Sequence, residues 1–155
     1  MEYPDFQLQL KRATVSNLDV LLEIEREVAH TRTYSAITDS HEMAAEIANN
    51  VVYLVCDADR IVGSVMYEMK ASDHAYLSGL VIKPDAQGRG IGKRAMMKVL
   101  EELRDVPLID LVTHPDNDRA IKLYEALGFT ISERIENYFG DGEPRVRMIL
   151  DKRNR

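Results

Sequence analysis

The chain has a single cysteine, Cys56, among its 155 residues. That excludes an internal disulfide and any zinc site built from cysteines. Cys56 follows Tyr53-Leu54-Val55 in an apolar run and reads as a small core residue. Long hydrophobic runs are also missing: none approaches the roughly 18 residues that a membrane span requires. Met1-Glu2-Tyr3-Pro4-Asp5 offers neither the basic start nor the apolar stretch of a signal peptide, so a cytoplasmic location is expected. Excess positive charge is absent, since 26 acidic side chains against 20 basic ones leave a net charge of -6. A broad electrostatic grip on nucleic acid is therefore not expected. Repeats, low-complexity stretches and linkers are lacking as well. At 45% hydrophobic and 30% charged residues, the composition predicts one domain over residues 1–155 with a real core. Basic residues cluster at positions 89–98 and 152–155, and the second cluster reads as a solvated tail.

Hydrophobic periodicity of both kinds is present. Phe6-Gln7-Leu8-Gln9-Leu10 alternates apolar and polar, which predicts a first strand. Ser16 as N-cap, with Leu18, Leu21, Leu22, Ile24 and Val28 at helical spacing, predicts a helix to about His30. A short helix is predicted over residues 40–50. Residues 51–56 and 61–69, joined by Asp57-Ala58-Asp59-Arg60, predict a hairpin, and residues 75–82 predict a further strand. A helix is predicted from near Gly90, with Met96, Val99, Leu100 and Leu103 on its stripe. Residues 108–113 form a strand of the kind buried on both faces. Asp116 or Asn117 caps the next helix, whose stripe is Ala120, Ile121, Tyr124 and Leu127, and Gly128 takes the terminal left-handed position. Residues 129–138 and 145–150 predict a last hairpin around Gly140-Asp141-Gly142. The sum is an α/β (α+β) domain, a mixed central sheet of about seven strands flanked by about four helices.

The most informative segment runs Leu80-Val81-Ile82-Lys83-Pro84-Asp85-Ala86-Gln87-Gly88-Arg89-Gly90-Ile91-Gly92-Lys93. It passes from a strand, through a glycine-rich turn, into a helix N-terminus. Glycines at alternate positions let consecutive backbone N–H groups converge on an anion, and the helix dipole adds to that site. Arg89, Lys93 and Arg94 contribute full charges, so a pyrophosphate is the natural occupant. The spacing fits neither a P-loop, which ends in Gly-Lys-Ser/Thr, nor a dinucleotide fingerprint, which follows the first strand of a βαβ unit.

Gln87-Gly88-Arg89-Gly90-Ile91-Gly92 resembles the Q/R-x-x-G-x-G/A motif of the GNAT superfamily of N-acetyltransferases. Downstream, Asn117-Asp118-Arg119-Ala120-Ile121-Lys122-Leu123-Tyr124-Glu125-Ala126-Leu127-Gly128-Phe129 is similar to the family's second coenzyme segment. The resemblance covers about Gln9 to Leu150. It implies an enzyme that takes acetyl-CoA as acetyl donor and needs no metal. Backbone groups of Leu80, Val81 and Ile82 would then pair with the pantetheine arm. The N–H groups from Gln87 and Gly88 through Arg89, Gly90, Ile91 and Gly92 to Lys93 would cradle the pyrophosphate. Asn117 would bond the arm near the thiol, with Tyr124 beside the sulfur.

Acetyl transfer to an amine needs a neutral amine, a polarised thioester carbonyl and a proton for the departing thiolate. The resemblance assigns the carbonyl to a backbone N–H of Leu80 or Val81 and the proton to Tyr124. The base stays open. The family's glutamate register in the fourth strand holds Tyr76, and the fifth-strand register holds Val112. His114, which shares the face of Val112 if the strand stays extended, is a candidate, with Glu68, Tyr76 and His74; water draining the proton to solvent is the alternative. On the acceptor side the resemblance points to Tyr34 within Thr31-Arg32-Thr33-Tyr34-Ser35, to Tyr67 beside Glu68, and to Tyr138 and Phe139. Asn137-Tyr138-Phe139 resembles the Asn-Tyr-Tyr of ribosomal-protein and other N-terminal acetyltransferases, but Phe139 lacks the second hydroxyl. The expected acceptor is a small-molecule amine or a peptide N-terminus. A non-catalytic acyl-CoA-binding module is the reading from another class. The oligomeric state stays open, pairing of two chains into a homodimer through the C-terminal strands included.

Overall fold

The structure is a computed structural model and describes residues 8–154. Seven strands form one sheet: β1 (Leu8–Arg12), β2 (Val51–Asp57), β3 (Arg60–Ala71), β4 (His74–Ile82), β5 (Leu108–Thr113), β6 (Thr130–Ile135) and β7 (Arg145–Asp151). Their order is β1-β2-β3-β4-β5-β7-β6. β4 and β5 run parallel, and the other neighbours are antiparallel. Helices α1 (Leu18–Arg26) and α2 (Ser40–Asn49) pack on one face, α3 (Ile91–Glu102) and α4 (Asp118–Ala126) on the other. This is the mixed α/β architecture that the element order implies.

Each face has its own core, as the pleat requires. Leu21, Leu22, Met43, Val52, Leu54, Cys56 and Met66 fill the α1–α2 side, so Cys56 is the core residue expected. Val65, Leu77, Met96, Val99, Ile109, Leu111, Phe129 and Met148 fill the α3–α4 side. Truncating a fully buried member such as Met96 to alanine should cost about 2–5 kcal/mol. Among the described residues, no helix is long and apolar enough to cross a membrane.

Several boundaries differ from the sequence reading, each for a local reason. Phe6 and Gln7 lie outside the described residues, while β1 continues to Arg12 because Lys11 and Arg12 pair with Leu54 and Tyr53. α1 opens after a short turn in which the Thr14 N–H donates to Asn17 Oδ1 (3.0 Å), not at a Ser16 cap. It stops at Arg26, short of His30, because the N–H groups of Val28 and Ala29 turn to carbonyls three residues back. Asp39 caps α2 by accepting from the Glu42 N–H (2.9 Å). The last hairpin is wider than predicted: β6 ends at Ile135, and Tyr138 and Phe139 sit in the connecting loop. Positive φ angles at Asn137, Gly140 and Gly142 turn that loop. Lys152 does not trail into solvent as expected. Its Nζ donates to the carbonyls of Leu103 and Arg104 (3.0 and 3.1 Å), closing the C-terminal end of α3.

Candidate active site

A defect in β4 creates the site. Met66 pairs with Gly79 and Tyr67 with Leu77, so Ser78 is an extra residue and the strand bulges there. Leu77 and Leu80, three positions apart, both face the α3–α4 core. A regular strand would put them on opposite faces. β4 pairs with β5 only from His74 to Leu77; from Ser78 onward it diverges. The Lys83 N–H donates to the Val62 carbonyl (2.8 Å). By antiparallel alternation, Val81 and Gly79 also spend their backbone groups on β3, while Leu80 and Ile82 turn theirs to the open side. The Val81 carbonyl stands so close to β3 that a Cβ on Gly63 would lie 2.2 Å from it. Of the two N–H groups expected to polarise a carbonyl, that of Leu80 is therefore available and that of Val81 is committed.

The divergence opens a cleft of 390 Å³ whose floor is Leu80, Val81 and Ile82 and whose end wall is the glycine loop. Gln87, Gly88, Gly90, Ile91, Gly92 and Lys93 line it, with Asn117 and Arg119 opposite. Gly88 (φ 80°) and Gly90 (φ 78°) occupy the left-handed region, and a Cβ on either would meet nothing within 4 Å. The loop is thus set by backbone conformation, and it leaves open the volume in front of the α3 N-terminus. Gln87 pins it: its Nε2 donates to the Ile82 carbonyl (2.9 Å), and its Oε1 accepts from Arg119 (3.2 Å). Arg89 is not part of the cleft lining. Its guanidinium reaches Asp57 (3.3 Å) instead.

At its inner end the cleft meets a smaller chamber of 90 Å³. Thr33, Tyr34, Leu80, Asn117 and Ala120 belong to both. Asn117 caps α4 by accepting from the Ala120 N–H (3.2 Å), which leaves its amide N–H groups for the cleft. Tyr124 lines the chamber and packs edge-on against Phe129 at 5.8 Å. Burial pushes its phenol up to about 12. Tyr34 donates to Glu25 Oε1 (3.1 Å). Burial first, and then the Glu25 carboxylate, hold the Tyr34 phenol well above its ordinary range. Phe139 and Arg145 form the outer wall; the buried Arg145 guanidinium lies 5.1 Å from the Phe139 ring and donates to Asp141 (3.0 Å).

The acetyltransferase (GNAT) family profile matches residues 18–129, well over half of the chain. The chain belongs to the GNAT acetyltransferase family. Its relatives include the N-terminal acetyltransferase B complex catalytic subunit NAA20 of Arabidopsis thaliana, 27% identical over 146 residues, or 90% of this chain and 78% of the relative. The ribosomal protein bS18-alanine N-acetyltransferase of Escherichia coli K12 is 32% identical over 80 residues, covering 50% of this chain and 54% of that one. The crystal structure of the Escherichia coli ribosomal-protein-S18-alanine N-acetyltransferase has the same fold, with TM-score 0.79 at 21% identity over 93% of both chains. A Salmonella typhimurium acetyltransferase solved with its cofactor acetyl-CoA gives 0.76 at 18% identity over 94% of both.

Other residues singled out in this GNAT chain fall elsewhere. His114 does not stay on the face of Val112, because β5 ends at Thr113 and a turn begins at His114, whose carbonyl accepts from the Asn117 N–H (2.9 Å). Its Nδ1 accepts from the Asp116 N–H (3.0 Å), so its Nε2–H donates to Glu143 (2.6 Å). Both ring nitrogens are occupied, and the ring lines neither cavity. Arg32 donates to the same Glu143 (2.7 Å) and to Asp116 (3.0 Å). The His114 and Arg32 bonds hold the Glu143 carboxyl below its usual range. Tyr67 points to the α3 side and donates to Glu102, so it is absent from the acceptor chamber. Glu68 pairs with Lys70 (3.3 Å), and His74 bonds Asp110 (2.6 Å). Tyr76 and Tyr138 meet through their phenols; neither lines the cleft or the chamber. The sequence reading missed Ser78, Gly79, Arg145 and Glu25. A glycine inside a strand pattern is itself a bulge signal. Glu25 lies on the α1 stripe, at helical spacing from Leu18, Leu21, Leu22 and Val28, which is where a buried polar residue could have been noticed.

Proposed function

We propose that this protein is an acetyl-CoA-dependent N-acetyltransferase that moves an acetyl group to a primary amine by direct attack in a ternary complex. The observation that carries this reading is the junction of the two cavities. One group of residues, Tyr34, Leu80 and Asn117, borders both the long cleft at the glycine loop and the chamber that holds Tyr124. A donor in the first and an amine in the second would meet there. The residues fit the coenzyme: a strand edge that turns its Leu80 backbone groups to the open side suits an amide-bearing arm, and the Gly88–Gly90 turn with Lys93 suits a pyrophosphate.

Acetyl-CoA supplies the acetyl group as a thioester. The Leu80 N–H would donate to the thioester carbonyl oxygen, where charge develops. Asn117 would orient the pantetheine arm near the sulfur, and Tyr124 would supply the proton for the departing sulfur. One relative is named an N-terminal acetyltransferase, another a ribosomal protein bS18-alanine N-acetyltransferase, and a fold neighbour is a spermidine N-acetyltransferase. Either acceptor class presents a primary amine. The protein is assayed with acetyl-CoA and a panel containing an alanine-starting peptide and spermidine. Amine-dependent release of the CoA thiol is expected; acetyl-CoA binding with no release for any amine would make the chain a non-catalytic binding module.

A further inference from the structure

We propose that Glu25 is the terminal proton acceptor of this site, taking the acceptor ammonium's proton through the Tyr34 hydroxyl. The inference rests on the acetyltransferase reading above and supplies the base that the strand registers lack. Glu25 is fully buried on the inner face of α1, and its Oε2 has no hydrogen-bond partner. An ionisable group with an unpaired buried oxygen is costly to keep in a core. Its other oxygen accepts from Tyr34, whose ring borders both cavities. The Tyr34 hydroxyl stands over the β4 bulge, where a Cβ on Gly79 would lie 3.6 Å from it, at ordinary contact distance. A phenol has one donor and two acceptor sites. With the donor spent on Glu25, Tyr34 offers only acceptors to the chamber, and an ammonium offers only donors.

The groups that act on Glu25 support this role. Burial raises its carboxyl to about 7, the Glu42 carboxylate on α2 adds to the rise, and Tyr34 and the Ile37 N–H oppose it. Tyr124 also acts electrostatically on Tyr34. Beneath Tyr34, β3 and β4 present Met66 and Gly79, neither of which titrates. A base poised near neutrality is suited to general-base work. The other candidates are occupied: His114 by Asp116 and Glu143, Glu68 by Lys70. In the proposed step the ammonium N–H bond breaks and its proton forms an O–H bond on Tyr34. The Tyr34 proton passes to Glu25 Oε1, and the nitrogen keeps the electron pair for attack. The second proton, shed as the amine becomes an amide, replaces the one that Tyr124 gives to sulfur. Glu25 returns its proton to solvent before the next turnover.

The test is the pH dependence of kcat/KM for wild type, Glu25→Gln and Tyr34→Phe, on spermidine or the alanine-starting peptide, whichever turns over. Melting temperature and acetyl-CoA affinity are recorded for each. Wild type should level off above pH about 7. Both variants should lose about 10²-fold at neutral pH. Their rates should then climb towards the amine's own pKa, about 8 for an α-amine and about 10 for an alkylamine, so the gap closes. Variants that fold, bind acetyl-CoA and keep the wild-type profile, or lose rate equally at every pH, overturn the proposal. If Glu25→Gln does not fold, Tyr34→Phe alone decides by the same criterion. A wild type that turns over no amine sinks the acetyltransferase reading instead, and this inference with it.

Discussion

Tyr124 and Glu25 are both buried, and burial acts on them in opposite chemical senses. For Tyr124 it preserves the proton, making the phenol a donor at every pH below about 12. Tyr124→Phe keeps the edge-on contact with Phe129 and removes only that donor. We expect kcat to fall about 10² to 10⁴-fold with acetyl-CoA affinity little changed; steady-state rates check this, and an unaltered kcat would return Tyr124 to a packing role. For Glu25, burial moves the carboxyl from 4.5 to about 7. Between those values the folded protein holds a proton that the unfolded chain has lost. Stability therefore falls as pH rises through that window, by roughly 3 kcal/mol at most. Denaturant midpoints measured from about pH 5 to about pH 8 should decline more steeply for wild type than for Glu25→Gln. Parallel declines would mean that the carboxyl is not desolvated.

β4 is the element on which the site depends. Its bulge at Ser78 lets the outer half leave β5 while staying paired to β3, which frees one row of backbone groups. The turn that follows delivers the α3 N-terminus to the end of that row. Gly90 is the N-cap of α3 at φ 78°. Acetyl-CoA at 100 times its Kd should stabilise wild type by about 2.7 kcal/mol. Gly90→Asp places a carboxylate at the proposed pyrophosphate seat and should abolish the accompanying rise in Tm. Gly90→Ala also puts a Cβ on a left-handed residue, costing about 1–2 kcal/mol, and should keep most of the rise. Equal loss in both variants would mean that strain, not charge, governs the loop, and an intact rise in Gly90→Asp would put the pyrophosphate elsewhere.

At the scale of the whole molecule, the parallel pair β4–β5 and the crossover through α3 decide where a ligand can lie. Crevices in such sheets form outside the carboxyl ends of parallel strands, where neighbouring connections part. Here that crevice lies between the glycine loop with the α3 N-terminus and the start of α4. Arg32 bridges its rim, linking the α1–α2 segment to Glu143 before β7 and to Asp116 before α4. Both pairs are largely exposed and screened by solvent, so they add little to stability; their effect is to tie these loops to one another.

Element order, the glycine loop, and Asn117 and Tyr124 on one helix were legible in the sequence, because periodicity, caps and turn residues act over a few positions. The fate of residues whose role depends on a strand face was not. His114 left the face of Val112 when β5 ended one residue earlier, and Tyr67 went to the α3 side by the alternation of β3. Val81 and Leu80 look equivalent along the chain, yet the register with β3 commits the first and frees the second. Glu25 carried a faint local signal, a charge on an apolar stripe, but what it faces comes from a loop folded back over the bulge. The chain alone determined which elements form; their packing decided which side chains meet, since strand register and bulges are set by partners distant in sequence.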